Sequence, residues 1–163
     1  MIALRVSTIP KRDTNLWPDD SERPLTPEGE EYFRRDAGEI LRLVPKVEVV
    51  LSSPYVRAWQ TAEILEQKGW PVPIPCEELK PDCPPHMAVD ALARSVDAES
   101  VATVGHRPSL HELVSYLLTG DAKGAKIRIE KGGAAYLSFE GLPEPGAGSL
   151  HWLLAPEELR TLD

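Results

Sequence analysis

Apolar and polar positions along the chain switch between a period of two and a period near 3.6, and each switch marks an element. An apolar run over 2–6 reads as a short buried strand, followed by a polar, proline-containing loop over 7–22. Helical spacing begins next, with Phe33, Ala37, Ile40, Leu41 and Val44 on one face. Thr26 can cap that helix, Pro27 suits its first turn, Glu28 and Glu30 favour the positive end of its dipole, and Pro45 stops it. A second strand is predicted over 47–51 and a second helix over 54–68. Ser53 is the expected N-cap, Pro54 the first helical residue, Ala58, Ala62 and Leu65 the apolar stripe, and Gly69 the C-terminal cap.

Prolines at 71, 73, 75, 81, 84 and 85 preclude regular helix over 70–85 and favour an extended rim or lid, before a short helix with Met87, Ala91 and Leu92. Val101, Ala102, Thr103 and Val104 form a further candidate strand. Behind it, Leu110, Leu113, Val114, Leu117 and Leu118 define a strongly amphipathic helix closed by Gly120. The pattern then changes. Ile127 and Ile129 alternate with Arg128 and Glu130, and Lys131-Gly132-Gly133 turns the chain into 134–139, which predicts a hairpin. A loop rich in glycine and proline leads to a last strand over 150–154 and a short helix over 156–159.

Strand-then-helix order repeated in this way predicts an α/β domain spanning 1–163, a three-layer αβα sandwich with a mostly parallel central sheet. In such a sheet the strand C-termini share one edge, and ligands bind there at a topological switch point. Arg5, then Ser52-Ser53 with Arg57 one turn on, then Gly105-His106 all follow predicted strands, so they are expected to converge. Two arginines, a histidine and nearby helix N-termini suit a tetrahedral oxyanion, and no carboxylate cluster accompanies them to suggest a metal. Arg57 is expected to be partly exposed at the pocket, so its loss should cost anion binding more than fold stability.

Composition narrows the partners. At 163 residues, with 42% hydrophobic and 27% charged positions, the chain can bury a continuous core without disulfides or metal. A net charge of −8 argues against nucleic acid or an anionic membrane as partner, and leaves binding of a phosphate-like anion to a few focused arginines. The apolar start Met1-Ile2-Ala3-Leu4 is too short for a signal peptide or anchor, so a cytoplasmic address is expected. Cys76 and Cys83 lack zinc-site spacing and read as free thiols; no cofactor is implied, and the oligomeric state stays open.

Taken in order, Leu4-Arg5, Arg23-Pro24-Leu25-Thr26-Pro27-Glu28-Gly29, Leu51-Ser52-Ser53-Pro54-Tyr55-Val56-Arg57-Ala58-Trp59-Gln60-Thr61 and Val104-Gly105-His106-Arg107-Pro108 resemble the histidine phosphatase (phosphoglycerate mutase-like) superfamily. Within it, the chain is most similar to the short SixA-like phosphohistidine phosphatases, and Lys131-Gly132-Gly133-Ala134-Ala135 and Trp152 also suit that branch. The resemblance implies that Arg5 and Arg57 hold phosphate oxygens and that His106 is the second active-site histidine. It also implies a nucleophilic histidine after the first arginine. Here that triplet is Arg5-Val6-Ser7, and no histidine precedes His86.

Valine has no lone pair, so two functions of different class follow: a phosphohydrolase of the SixA-like type, or a non-catalytic relative that binds phosphate or a phosphorylated partner. Ser7 is a poor substitute, because a serine needs a positioned base and its phosphoester is stable. His111 lies five positions beyond His106 on one predicted helix, which points the imidazoles apart, and His86 and His151 read as surface residues. The resemblance to the family's larger members implies a general acid from a carboxylate over the site, and Glu77, Glu78 and Asp82 lie in the corresponding stretch, where they otherwise read as solvated rim charges. Lys11 and Arg12, in the first loop, could meet a protein substrate or simply be solvated.

Overall fold

The computed structural model describes residues 1–7, 9–95 and 97–162. Six strands, β1 (Ile2–Arg5), β2 (Val49–Ser52), β3 (Ile74–Pro75), β4 (Val101–Gly105), β5 (Ala134–Ser138) and β6 (Ser149–Leu154), form one sheet in the order β3-β2-β4-β1-β5-β6. The first four run parallel, while β5 is antiparallel to both β1 and β6. Because β6 reverses β5, its C-terminus lies at the same edge as those of β1, β2 and β4.

Alternation along the strands feeds two separate cores. Ile2, Leu4, Val50, Ala102 and Val104 face α1 (Pro27–Leu43), α2 (Val56–Lys68) and α5 (Pro156–Leu159) through Phe33, Ile40, Leu65 and Leu159. Ala3, Leu51, Ala135 and Leu137 face α3 (Pro85–Ala93) and α4 (Ser109–Thr119) through Leu92, Leu113, Val114 and Leu117. The result is the three-layer αβα sandwich expected from the sequence, each large buried side chain contributing roughly 1.5–3 kcal/mol.

Helix ends follow their local signals in most places. The Thr26 side chain accepts from Gly29 N at 2.9 Å, a cap that contributes about 1 kcal/mol. Gly69 and Gly120 end α2 and α4 with φ of 127° and 79°, conformations that glycine alone adopts cheaply. One expectation fails: α2 begins at Val56 rather than at residue 54, its N-cap is Tyr55, and no side chain caps it. Ser53 is drawn away by His106, as described below.

The hairpin expected over 127–139 is also absent. Residues 127–130 carry no strand, because both edges of β5 are already taken, by β1 and by β6. Ile129 is nevertheless fully buried in the second core, which accounts for its apolar alternation. The turn that follows docks on the end of β1: Gly132 N donates to Arg5 O at 3.1 Å, and Arg5 N donates to Gly133 O at 3.1 Å. Gly132 has a φ of 76°, and a Cβ on Gly133 would lie 2.7 Å from Leu154 O, so neither position accepts a side chain without strain.

Candidate functional site

Register sets the site. Arg5 pairs with Gly105 and Ser52 with Val104, so the residues that follow leave the sheet at one level. Val6 N donates to Gly105 O at 3.1 Å and Ser53 N to Val104 O at 3.0 Å, which extends the ladder one step before the chains diverge. The chain leaving β1 continues to α1 on one face, whereas β4 feeds α4 on the other. The crevice between their C-terminal ends is therefore the topological switch point where open α/β sheets bind ligands.

A cavity of about 420 Å³ opens there, and Arg5, Val6, Ser7, Arg57 and His106 all line it. The sequence-derived candidates are thus brought together around one volume. Lys11 and Asp82 also reach its wall. Glu77 and Glu78 do not line it, being paired instead with Lys80 and Arg94. His86 and His151 are exposed, and the latter bonds Ser138 Oγ at 2.6 Å. His111 faces a different cleft, on the far side of Arg5. Cys76 and Cys83 are free thiols, and burial, followed by the neighbouring Glu78, pushes the Cys76 thiol up to about 11.

His106 is buried at 6% exposure, with Nε2 2.8 Å from Ser53 Oγ and its ring edge-on to Tyr55 at 5.4 Å. Its carbonyl accepts from Leu110 N at 2.7 Å and from Ser109 Oγ at 3.0 Å, so the backbone is fixed by the start of α4. Burial first, and then the charge of Arg57, pushes the imidazole down to about 3, so it is neutral at ordinary pH. Between that value and 6.5 the unfolded chain binds the proton more tightly than the folded one. The resulting stability is complete above pH 6.5 and drains away as pH falls toward 3. Thermal melts from about pH 7 to about pH 4 should therefore fall more steeply for the native chain than for His106→Gln; equal slopes would remove His106 as the cause.

Arg57 departs from expectation. It is 4% exposed rather than partly open, because residues 20–22 fold over it as a short 3₁₀ turn. Its Nη1 donates to Asp20 O at 2.7 Å and its Nη2 to Asp20 Oδ2 at 3.0 Å, while the guanidinium lies 5.0 Å from the centre of the Tyr55 ring. Asp20 Oδ1 lies 3.0 Å from Arg23 and 2.8 Å from Arg12. Burial opposes ionisation of Asp20, but the Arg57 hydrogen bond and the three guanidinium charges outweigh it and hold its pKa below the ordinary value. Asp20 and Arg23, which sequence reasoning left without a role, are therefore part of the cavity. Their sequence signal was that Arg23 opens the Arg23-Pro24-Leu25-Thr26 motif and Asp20 lies three residues before it.

Arg5 is half-buried and donates from Nη1 to Ile129 O at 2.9 Å. Val6 is 5% exposed, packed into the first core with one side on the cavity. Ser7, at 6% exposure, donates its hydroxyl to Gly29 O at 3.0 Å. No group of three or more metal-ligating side chains occurs among the described residues. The arrangement can hold a compact anion by charge and by guanidinium forks, and Val6 presents a hydrocarbon side chain to the same cavity.

No protein-family model matches the chain, and no curated protein sequence matches it significantly. Solved structures do. The protein histidine phosphatase SixA complexed with tungstate superposes with a TM-score of 0.83 at 23% identity, covering 97% of each chain. A protein described as a phosphohistidine phosphatase SixA from Agrobacterium tumefaciens gives 0.78 at 18% identity, over 95% of this chain and 96% of that one. A variant phosphoserine phosphatase from Entamoeba histolytica, complexed with phosphoserine, gives 0.68 at 15% identity, over 97% and 98%.

Proposed function

We propose that this chain, which has the fold of the histidine phosphatases, binds a phosphoryl group, on a phosphohistidine-type or other phosphorylated partner, in the cavity between Arg5, Arg57 and His106, and that it does so without hydrolysing it. The observation that carries this reading is the placement of Val6 beside Arg57 and His106 in one cavity at the sheet switch point. The cradle is present and the nucleophile is not. The tungstate and phosphoserine complexes of proteins with this fold support a tetrahedral-anion ligand. Free thiols at Cys76 and Cys83 suit a cytoplasmic protein.

A hydrolytic role is the second reading, favoured by the phosphatases that share the fold. It requires a nucleophile other than Val6. Ser7 Oγ is committed to Gly29 O, and His106 Nε2 is engaged by Ser53, so neither is poised for attack in this conformation.

Charge-assisted hydrogen bonds from the cradle, offset by desolvation, should give inorganic phosphate, vanadate or tungstate a Kd of roughly millimolar to tens of micromolar by isothermal titration. Silence at about tens of millimolar of each ion would sink the reading. Asp20 presents its carboxylate to the same Arg57 that an incoming anion would use. Asp20→Asn should therefore tighten phosphate binding by about three- to tenfold, since a competing charge is removed while the backbone contact from Asp20 O stays. A weaker phosphate affinity in this variant would mean that Asp20 supports the ligand instead of competing with it.

A further inference from the structure

A second cleft, of about 920 Å³, adjoins the phosphoryl cavity, and Arg5, Arg107 and Lys131 line both. Its lining carries five basic side chains against two acidic ones, on a chain whose net charge is −8. The topology produces this concentration. Because β6 runs parallel to β1, the residues that follow it, including Arg160, emerge at the β1 C-terminal edge. The Gly132-Gly133 turn pinned to β1 sets Lys131 beside Arg5.

The positive charge is only partly cancelled locally. Arg128 is paired with Glu130 at 2.7 Å and Arg160 with Asp36 at 3.1 Å. Arg107 and Lys131, both exposed, have no ion-pair partner among the described residues. Arg5 is held below its ordinary pKa by burial first and then by Arg107, with Glu130 only partly offsetting the crowding. His111 contributes no compensating anion; its Nε2 lies 3.1 Å from Ile129 N, and burial lowers its pKa. A cleft with a net positive lining and two cations unpaired among the described residues, Arg107 and Lys131, beside a phosphoryl cavity is a place for another negative group.

We propose that this cleft is a second anion subsite, so that the preferred ligand is a phosphorylated molecule carrying an additional phosphate or carboxylate next to its phosphoryl group. This rests on the phosphoryl-binding reading above. The shared cations Arg107 and Lys131 bridge the two groups, and Arg128 and Arg160 meet the outer one. An inorganic ion fills only the inner cavity and gains little from the outer cleft.

The test is isothermal titration of the full chain with inorganic phosphate, propyl phosphate, and methylene-, propane- and pentane-linked bisphosphates at low and high salt. At least one bisphosphate should bind about tenfold or more tighter than propyl phosphate, with the advantage shrinking as salt rises. The ratio of bisphosphate to phosphate affinity should fall about two- to fivefold in Arg128→Glu and rise by a similar factor in Glu130→Gln, since each alters exposed charge. Phosphopeptides with an aspartate or an alanine beside the phosphoresidue form a second arm. A preference for aspartate there assigns the second anion to a protein, while a preference confined to the bisphosphates assigns it to a small molecule. Phosphate binding with a ratio near one for every linker and both peptides, or a ratio unmoved by both charge variants, overturns the subsite and leaves the phosphoryl site standing. Failure of phosphate itself to bind overturns both.

Discussion

Val6→His is expected to turn a chain with background hydrolysis of nitrophenyl phosphate or phosphohistidine into one with measurable turnover. The reason is positional. Val6 already lines the cavity with Arg57 and His106, so an imidazole there stands within reach of a bound phosphoryl group and can form the phosphoenzyme that valine cannot. Removing a nucleophile from subtilisin lowers turnover by about six orders of magnitude, and a substitution that restores even a third of that on a logarithmic scale would be about a hundredfold gain. Ser7→Gly in the same chain should help further by freeing the adjacent backbone. It also surrenders the hydroxyl bond to Gly29 O, a cost of about 0.5–1.5 kcal/mol to stability. The gain should vanish when His106→Ala is added. Robust turnover by the native chain, lost in His106→Ala and free of contaminating phosphatase, would overturn the non-catalytic reading.

Arg57→Ala should produce the largest loss of binding. Its guanidinium is the most buried cation in contact with the cavity, at 4% exposure, and charge-assisted bonds contribute about 1.5–3 kcal/mol each, so phosphate affinity should fall about 10- to 150-fold. Arg57→Lys should lose less, because the charge remains while the two-pronged fork is gone. The tertiary structure reverses the accompanying expectation about stability. Arg57 also ties the turn at Asp20 to α2 through two hydrogen bonds, and their loss leaves Asp20 Oδ2 without its charged donor. A fall of about 1–3 kcal/mol in unfolding free energy is expected for Arg57→Ala. An unchanged melting temperature would show that Arg12 and Arg23 hold Asp20 unaided, and equal affinity losses in the two variants would show that fork geometry is irrelevant.

Local signals fixed much of the scaffold because they act over a few residues. Thr26 and Pro27 begin α1, Gly120 ends α4, and the leucine spacing from Leu110 to Leu118 marks the face of α4 that meets the sheet. The meeting of Arg5, Arg57 and His106 was also legible, since parallel strands must present their C-termini at one edge. That residue 6 is a valine, with no histidine before His86, needed only the sequence itself.

What the chain could not reveal locally depends on partners distant in sequence. Asp20 and Arg57 are 37 positions apart, and their pairing depends on where the first loop comes back across α2. Ser53 reads as a cap by residue type, yet its hydroxyl sits 2.8 Å from the buried His106, which becomes its neighbour only when β2 and β4 align. Ile127 and Ile129 alternate as a strand would, but β1 and β6 already occupy both edges of β5 and leave 127–130 nothing to pair with. Ile129 is buried against α4 instead, its N–H directed at His111 and its carbonyl accepting from Arg5. Sequence therefore determined most of the elements and which side chains face one edge, because propensity, capping and apolar period are short-range. The tertiary structure decided which charges are neutralised and which stay open to a ligand, because electrostatic pairing and edge occupancy depend on the whole fold at once.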